Sequence, residues 1–236
     1  MCFGKWMSLL FYLTIVLCDE SIVLNNKNTV ILKDVIDEKA ISNVIYQLYK
    51  KKSGSSPIYL YIHSPGGNVN SGNLLIDFIR VYEKDANLIC VTSYAASMAF
   101  AILQSCKKRY SSKRGVLMQH QIRVNNIQEI KVNELTTYVE YMNNLNQEFV
   151  DFQSIRIGMP KNKFVENTKT DWWITAEQGL KFNIVDKLVN IICDPEYALT
   201  NYTESEYHEK YTLIYTYSNC PLITKPIDTN YVFDNK

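Results

Sequence analysis

Three short segments carry the side chains best suited to chemistry: Ser64-Pro65-Gly66-Gly67, Ala95-Ala96-Ser97-Met98 and Met118-Gln119-His120. Each follows or ends an apolar run, where a strand would stop. A serine hydroxyl is a weak nucleophile until a base takes its proton, and the base needs a third group to orient it. The chain has 3 histidines. His208 lies in a polar tail and His63 immediately precedes the paired glycines, so His120 is the best base candidate beside Ser97. Ala95, Ala96 and Ala99 clear space around Ser97. Adjacent glycines let the backbone turn sharply and present N–H groups. The first N–H groups of a helix opening at Met98 have no intrahelical acceptor, and with the positive helix end they suit a developing oxyanion. Taken singly, a Gly-Gly pair is an ordinary turn and a serine at a helix start is a cap; the three segments gain meaning together. Spacing leaves the orienting carboxylate open among Glu166, Asp171, Glu177 and Asp186. A Ser-Lys pair using Lys107 or Lys108 is a competing arrangement.

These segments need elements to position them, and the chain reads as alternating strands and helices. Residues 30–32 and 58–62 form apolar strands, and Ala40, Ile41, Val44, Ile45, Leu48 and Tyr49 between them keep helical spacing. After the glycines, Leu74, Leu75, Phe78, Ile79 and Tyr82 keep the same period. The unit repeats: a strand at 88–91, a helix over 95–103 and a strand at 116–118. A long helix from about 132 to 155 carries Leu135, Val139, Met142, Leu145, Phe149 and Phe152, and Gly158-Met159-Pro160 stops it. Thr175-Ala176-Glu177-Gln178 resembles a capping box opening one more short helix. Such alternation implies right-handed crossovers and a largely parallel sheet, with chemistry at the carboxyl ends of its strands.

Composition narrows the classes. At 236 residues, 47% hydrophobic and 21% charged, the chain buries a real core, which excludes wholesale disorder. A net charge of +1 argues against nucleic acid as a partner. The 6 cysteines show no metal-ligand spacing. Cys90, within an apolar run, reads as a buried free thiol, while Cys193 and Cys220 are able to pair in an oxidising compartment. No phosphate loop appears either, so no cofactor is expected. Residues 8–18 match the apolar core of a signal-like or anchor segment, the other reading being a buried element. That leaves the compartment open. The expected organisation is therefore a signal-like segment at 1–20, a catalytic domain at 21–193 and an extension at 194–236. The extension is rich in Tyr, Thr, Asn and Pro, its 211–217 stretch suits an edge strand, and Asn201-Tyr202-Thr203 is a glycosylation sequon.

The run from Tyr59 through Ser64-Pro65-Gly66-Gly67-Asn68-Val69, then Ala95-Ala96-Ser97-Met98, then Met118-Gln119-His120-Gln121, resembles the proteolytic subunit of the Clp protease. The likeness extends from about Thr29 to Val189 with the motifs in the family's order. It implies an α/β, crotonase-like spiral of βαβ units with a protruding helix–strand handle over 121–155. It further implies a serine endopeptidase acting on unfolded polypeptides, with Ser97 as nucleophile, His120 as base and Asp171, before Trp172-Trp173-Ile174-Thr175-Ala176-Glu177, as orienter. Gly67 and Met98 would supply the oxyanion-hole N–H groups. The family's heptameric rings stack in pairs, and an AAA+ unfoldase partner consumes the ATP.

The sequence departs from that pattern in several places. Ser93-Tyr94 replaces the usual Gly-Gln, Ala99 replaces a glycine, and Ile122-Arg123-Val124-Asn125 replaces Pro-Leu-Gly-Gly. No arginine adjoins Asp171 in the sequence, where Thr170 and Trp172 flank it, and the apolar N-terminal segment stands where an axial loop usually does. These departures motivate a second reading: a catalytically weak or inactive structural subunit co-assembling with an active relative.

Overall fold

The computed structural model describes residues 20–51, 56–124 and 131–233. Nearly all of the signal-like segment, the centre of the lysine-rich turn and residues 125–130 lie outside that range. The elements run β1 (Ser21–Leu24), β2 (Thr29–Ile36), α1 (Glu38–Lys50), β3 (Ile58–Gly67), α2 (Val69–Tyr82), β4 (Leu88–Ala96), α3 (Met98–Ser105), β5 (Arg109–Gln119) and α4 (Val132–Ile157). There follow α5 (Lys161–Thr168), β6 (Trp172–Thr175), α6 (Ala176–Lys181), β7 (Lys187–Cys193), α7 (Pro195–Leu199), β8 (Asn201–Tyr207), β9 (Tyr211–Ser218) and β10 (Asp228–Phe233).

The main sheet has the order β1-β7-β5-β4-β3-β2, with β6 on the end of β5. Every pair along that order is parallel, and β6 alone runs antiparallel. This is the largely parallel sheet expected from strand–helix alternation, wound as the spiral of βαβ units that the resemblance implies. Its helices begin where side chains satisfy orphan donors: Asp37 accepts the Ala40 N–H at 2.7 Å to open α1, and Asn68 accepts the Ser71 N–H at 2.9 Å to open α2. Helix α1 buries Ile41, Val44 and Leu48. Helix α2 buries Leu75, Ile76 and Ile79 but turns Leu74 outward, 61% exposed, because Gly72 marks its inward face. One apolar cluster lies between the helices and the sheet. A second, built on Ile22, Leu24, Tyr61, Ile89, Val91, Tyr110, Val189 and Tyr197, covers the other face.

Several local expectations change. Strand β4 runs on through Ala95 and Ala96, which pair with Leu117 and Met118, so the helix expected over 95–103 starts only at Met98. Cys90 is no free thiol: it forms a disulfide with Cys106, Cα–Cα 6.1 Å, because α3 returns its end to the start of β4. Cys193 and Cys220 also form a disulfide. The 211–217 stretch is no edge of the main sheet; β9 is the centre of a separate antiparallel sheet, β10-β9-β8. Helix α5 had no sequence signal strong enough to be expected. Helix α4 buries only Val150, Gln153, Ser154 and Ile157 near its end, and its first half projects with Leu135, Tyr138 and Val139 exposed. That projection is the helix of the handle. Residues 121–124 beside it form no strand. Among the described residues no helix is long and apolar enough to cross a membrane.

Candidate active site

The chain leaves β4 through Ser97, whose φ of 55° and ψ of −120° are rare for a residue with a side chain. Two backbone bonds hold this turn. Ser97 N–H donates to the Met118 carbonyl at 2.9 Å, and Ala101 N–H donates to the Ser97 carbonyl at 3.2 Å. The Ser97 side chain makes no capping hydrogen bond, so its hydroxyl is not engaged by the helix it precedes. Gly66 makes the turn possible. With φ of +94°, it sits where a Cβ would lie 2.7 Å from the Ala96 oxygen, 2.8 Å from Ser97 Cβ and 2.9 Å from Met98 N. Its own N–H is taken by Ser64 Oγ at 3.1 Å. The next residue, Gly67, has φ of +154°, and a side chain there would strike the Ile36 backbone.

Gly67, Ser97, Met98 and His120 line one cavity of about 420 Å³, walled on its apolar side by Val69, Met118, Phe149 and Phe164. Sheet register explains the convergence. Ala96 pairs in parallel with Met118, which sets Ser97 beside the end of β5, where His120 follows Gln119. Strand β6 pairs antiparallel with β5 through Met118–Trp173 and Gln119–Trp172, so the next step sets Asp171 across from His120. His120 and Asp171 line a second cavity of about 590 Å³. The His120 backbone N–H donates to Gln119 Oε1 at 2.9 Å, and Gln119 Nε2 donates to Gln153 Oε1 on α4. A buried amide pair thereby ties the His120 backbone to the handle helix.

Ser97 and His120 share the first cavity and His120 and Asp171 the second, but the polar partners of His120 and Asp171 lie elsewhere. His120 Nδ1 is hydrogen-bonded to the Gln121 carbonyl, and Asp171 is ion-paired with Arg123. Of the other carboxylates, Glu166 pairs with Lys169 at 2.7 Å and Asp186 pairs with the fully buried Arg109 at 2.6 Å. Glu177 lines a separate cavity with Lys113 and Arg114. Lys107 and Lys108 sit beyond the far end of α3, donating to the Glu83 carbonyl at 2.9 Å and to Asn87 at 2.8 Å. Neither lines the Ser97 cavity, which removes the geometric basis for a Ser-Lys pair. His63 is occupied elsewhere: its Nδ1 lies 2.7 Å from Ser93 Oγ, which also meets the Tyr61 hydroxyl at 2.6 Å. Burial lowers the His63 pKa from its ordinary 6.5, Lys33 adds to that, and Asp34 opposes it. That network accounts for Ser93, while Tyr94 lines the Ser97 cavity. Sequence reasoning missed Gln119 and Gln153 as supports and Arg123 as the partner of Asp171. Adjacency to His120 was a signal for Gln119; nothing in the spacing marked the other two.

The family model for Clp protease matches residues 17–191. The chain is 27% identical over 169 residues to the ATP-dependent Clp protease proteolytic subunit 1 of Borreliella burgdorferi, covering 68% of this chain and 83% of that one. It is 30% identical over 165 residues to proteolytic subunit 2 of Prochlorococcus marinus, covering 66% and 79%. Subunit 2 of Pseudomonas aeruginosa is 29% identical over 162 residues, covering 65% and 77%. With three-quarters of its length matched, and a spiral of βαβ units carrying a protruding helix, the chain belongs to the Clp protease family.

Proposed function

We propose that the protein is a serine endopeptidase, the proteolytic subunit of an ATP-dependent complex. The observation that carries this reading is Ser97, held at a strained turn at the head of α3 in one cavity with His120. Ser97 Oγ attacks the scissile carbonyl carbon while His120 takes its proton, and the peptide oxygen becomes an oxyanion facing the N–H groups of Gly67 and Met98. His120 then returns the proton to the leaving amine, and the acyl-enzyme remains on Ser97. Water, deprotonated by His120, releases the acid and restores the serine. Asp171 orients the imidazole and balances its transient charge. The relatives are named ATP-dependent, so an AAA+ unfoldase would spend ATP and deliver unfolded polypeptide. The exposed half of α4 suits the contact between stacked rings, whose heptameric count comes from the family.

Labelling of size-fractionated protein with a fluorophosphonate tests this reading. The expected result is labelling of a large assembly, abolished by Ser97→Ala. A second reading, an inactive structural subunit, draws on Asp171 being held by Arg123 rather than by His120. It predicts a large assembly with no labelling, and an active partner complex that Ser97→Ala leaves undiminished.

A further inference from the structure

Resting on the roles just proposed for Ser97, His120 and Asp171, we infer that Arg123 is a positioning residue that withholds the orienting carboxylate from the base until the Arg123–Asp171 ion pair opens. Two observations meet here. Asp171 stands one register step across from His120 yet gives its carboxylate to the Arg123 guanidinium. His120 Nδ1, the nitrogen that an orienting carboxylate would engage, takes the carbonyl of its own neighbour Gln121 instead. With Nδ1–H on a neutral carbonyl, Nε2 remains able to accept the serine proton. The imidazolium so formed, however, lacks the carboxylate that would stabilise it. The charge that Asp171 would offer is already balanced by Arg123.

Two further features make this pair a reversible restraint. Its side chains are 60% and 37% exposed, so water and salt weaken it. Arg123 also lines both cavities, the one shared by Ser97 and His120 and the one that holds Asp171. A polypeptide entering the first cavity therefore competes for the space Arg123 occupies, and its displacement frees Asp171 for His120. The neighbouring cation Lys169 is paired with Glu166 and does not substitute for it.

The test measures the rate of fluorophosphonate labelling on the full, size-fractionated chain across a sodium chloride series, for wild type, Arg123→Gln and Arg123→Lys, with Ser97→Ala as blank. Opening a part-exposed ion pair shifts a two-state balance by about two- to fivefold. Arg123→Gln is expected to label faster than wild type by that factor at low salt, wild type to approach it as salt rises, and Arg123→Lys to stay near wild type. An Arg123→Gln protein that labels no faster while in the same size fraction overturns the inference and leaves Ser97 as nucleophile. A wild-type rate that does not rise with salt overturns it as well. Absence of labelling in both wild type and Arg123→Gln overturns the inference together with the reading it rests on.

Discussion

Ser97 lines the cavity from a backbone conformation that costs about 1–3 kcal/mol for a residue with a Cβ. The cost is met by packing that leaves no alternative: the Met118 carbonyl holds the Ser97 N–H, and Gly66 fills the space directly beneath. Gly66→Ala is therefore the most informative single substitution outside the proposed triad. Its methyl would press on Ala96, Ser97 and Met98 at once, and its φ of +94° is itself strained for alanine. The expected outcome is a fall in labelling on the order of 100-fold from displacement of the nucleophile. Circular dichroism should still report a folded chain. Labelling at the wild-type rate would mean that the turn relaxes without moving Ser97.

Among the elements, the unit β4–Ser97–α3 is closed on itself by Cys90 and Cys106, 16 residues apart, with the proposed nucleophile between them. Loop-closure entropy makes a bridge of that span worth about 3 kcal/mol. Replacing both cysteines by alanine is expected to lower Tm by roughly 6–12 °C for a domain of this size and to slow labelling of Ser97. Differential scanning calorimetry in non-reducing buffer checks the first, since disulfides persist only where thiols are not kept reduced. An unchanged Tm would mean that packing alone holds the unit closed. The bridge was illegible in the sequence because an apolar run around Cys90 suits a buried thiol equally well. Only the return of α3 brings Cys106 to it. The same cause misplaced the start of that helix: Ala95 and Ala96 favour helices intrinsically, yet both neighbours of β4 offer ladder partners that extend the strand.

At the scale of the molecule, the tail is an addition to the sheet rather than part of the site. The Cys193–Cys220 disulfide ties its antiparallel sheet to the end of β7, and Tyr197 on α7 closes the second apolar cluster. Burial there pushes the Tyr197 phenol up to about 12, with Tyr202 adding to the effect. Among the described residues, none beyond Trp173 lines the Ser97 cavity. A chain ending at residue 199, with Cys193→Ser to avoid a lone thiol, is thus expected to fold and to label at Ser97 as the full chain does. A folded but unlabelled truncation would make the tail sheet part of the working enzyme.

Alternating apolar periods were enough to determine a parallel α/β sheet, because period 2 and period 3.6 demand opposite burial patterns and recur in order along the chain. The strand-end motifs likewise singled out Ser97 and His120 as candidates, since a nucleophile needs a base, and the fold brings both to one cavity. What the sequence left open was everything set by register between distant segments. By spacing alone Glu166, Asp171, Glu177 and Asp186 are equivalent, and only the family resemblance singles out Asp171. The antiparallel step from Gln119–Trp172 puts Asp171 alone opposite His120, while Arg109 and Lys169 engage two of the others. Whether that carboxylate meets the histidine or Arg123 depends on side chains brought together from separate elements. Pairing of that kind is settled by tertiary packing, on which spacing along the chain is silent.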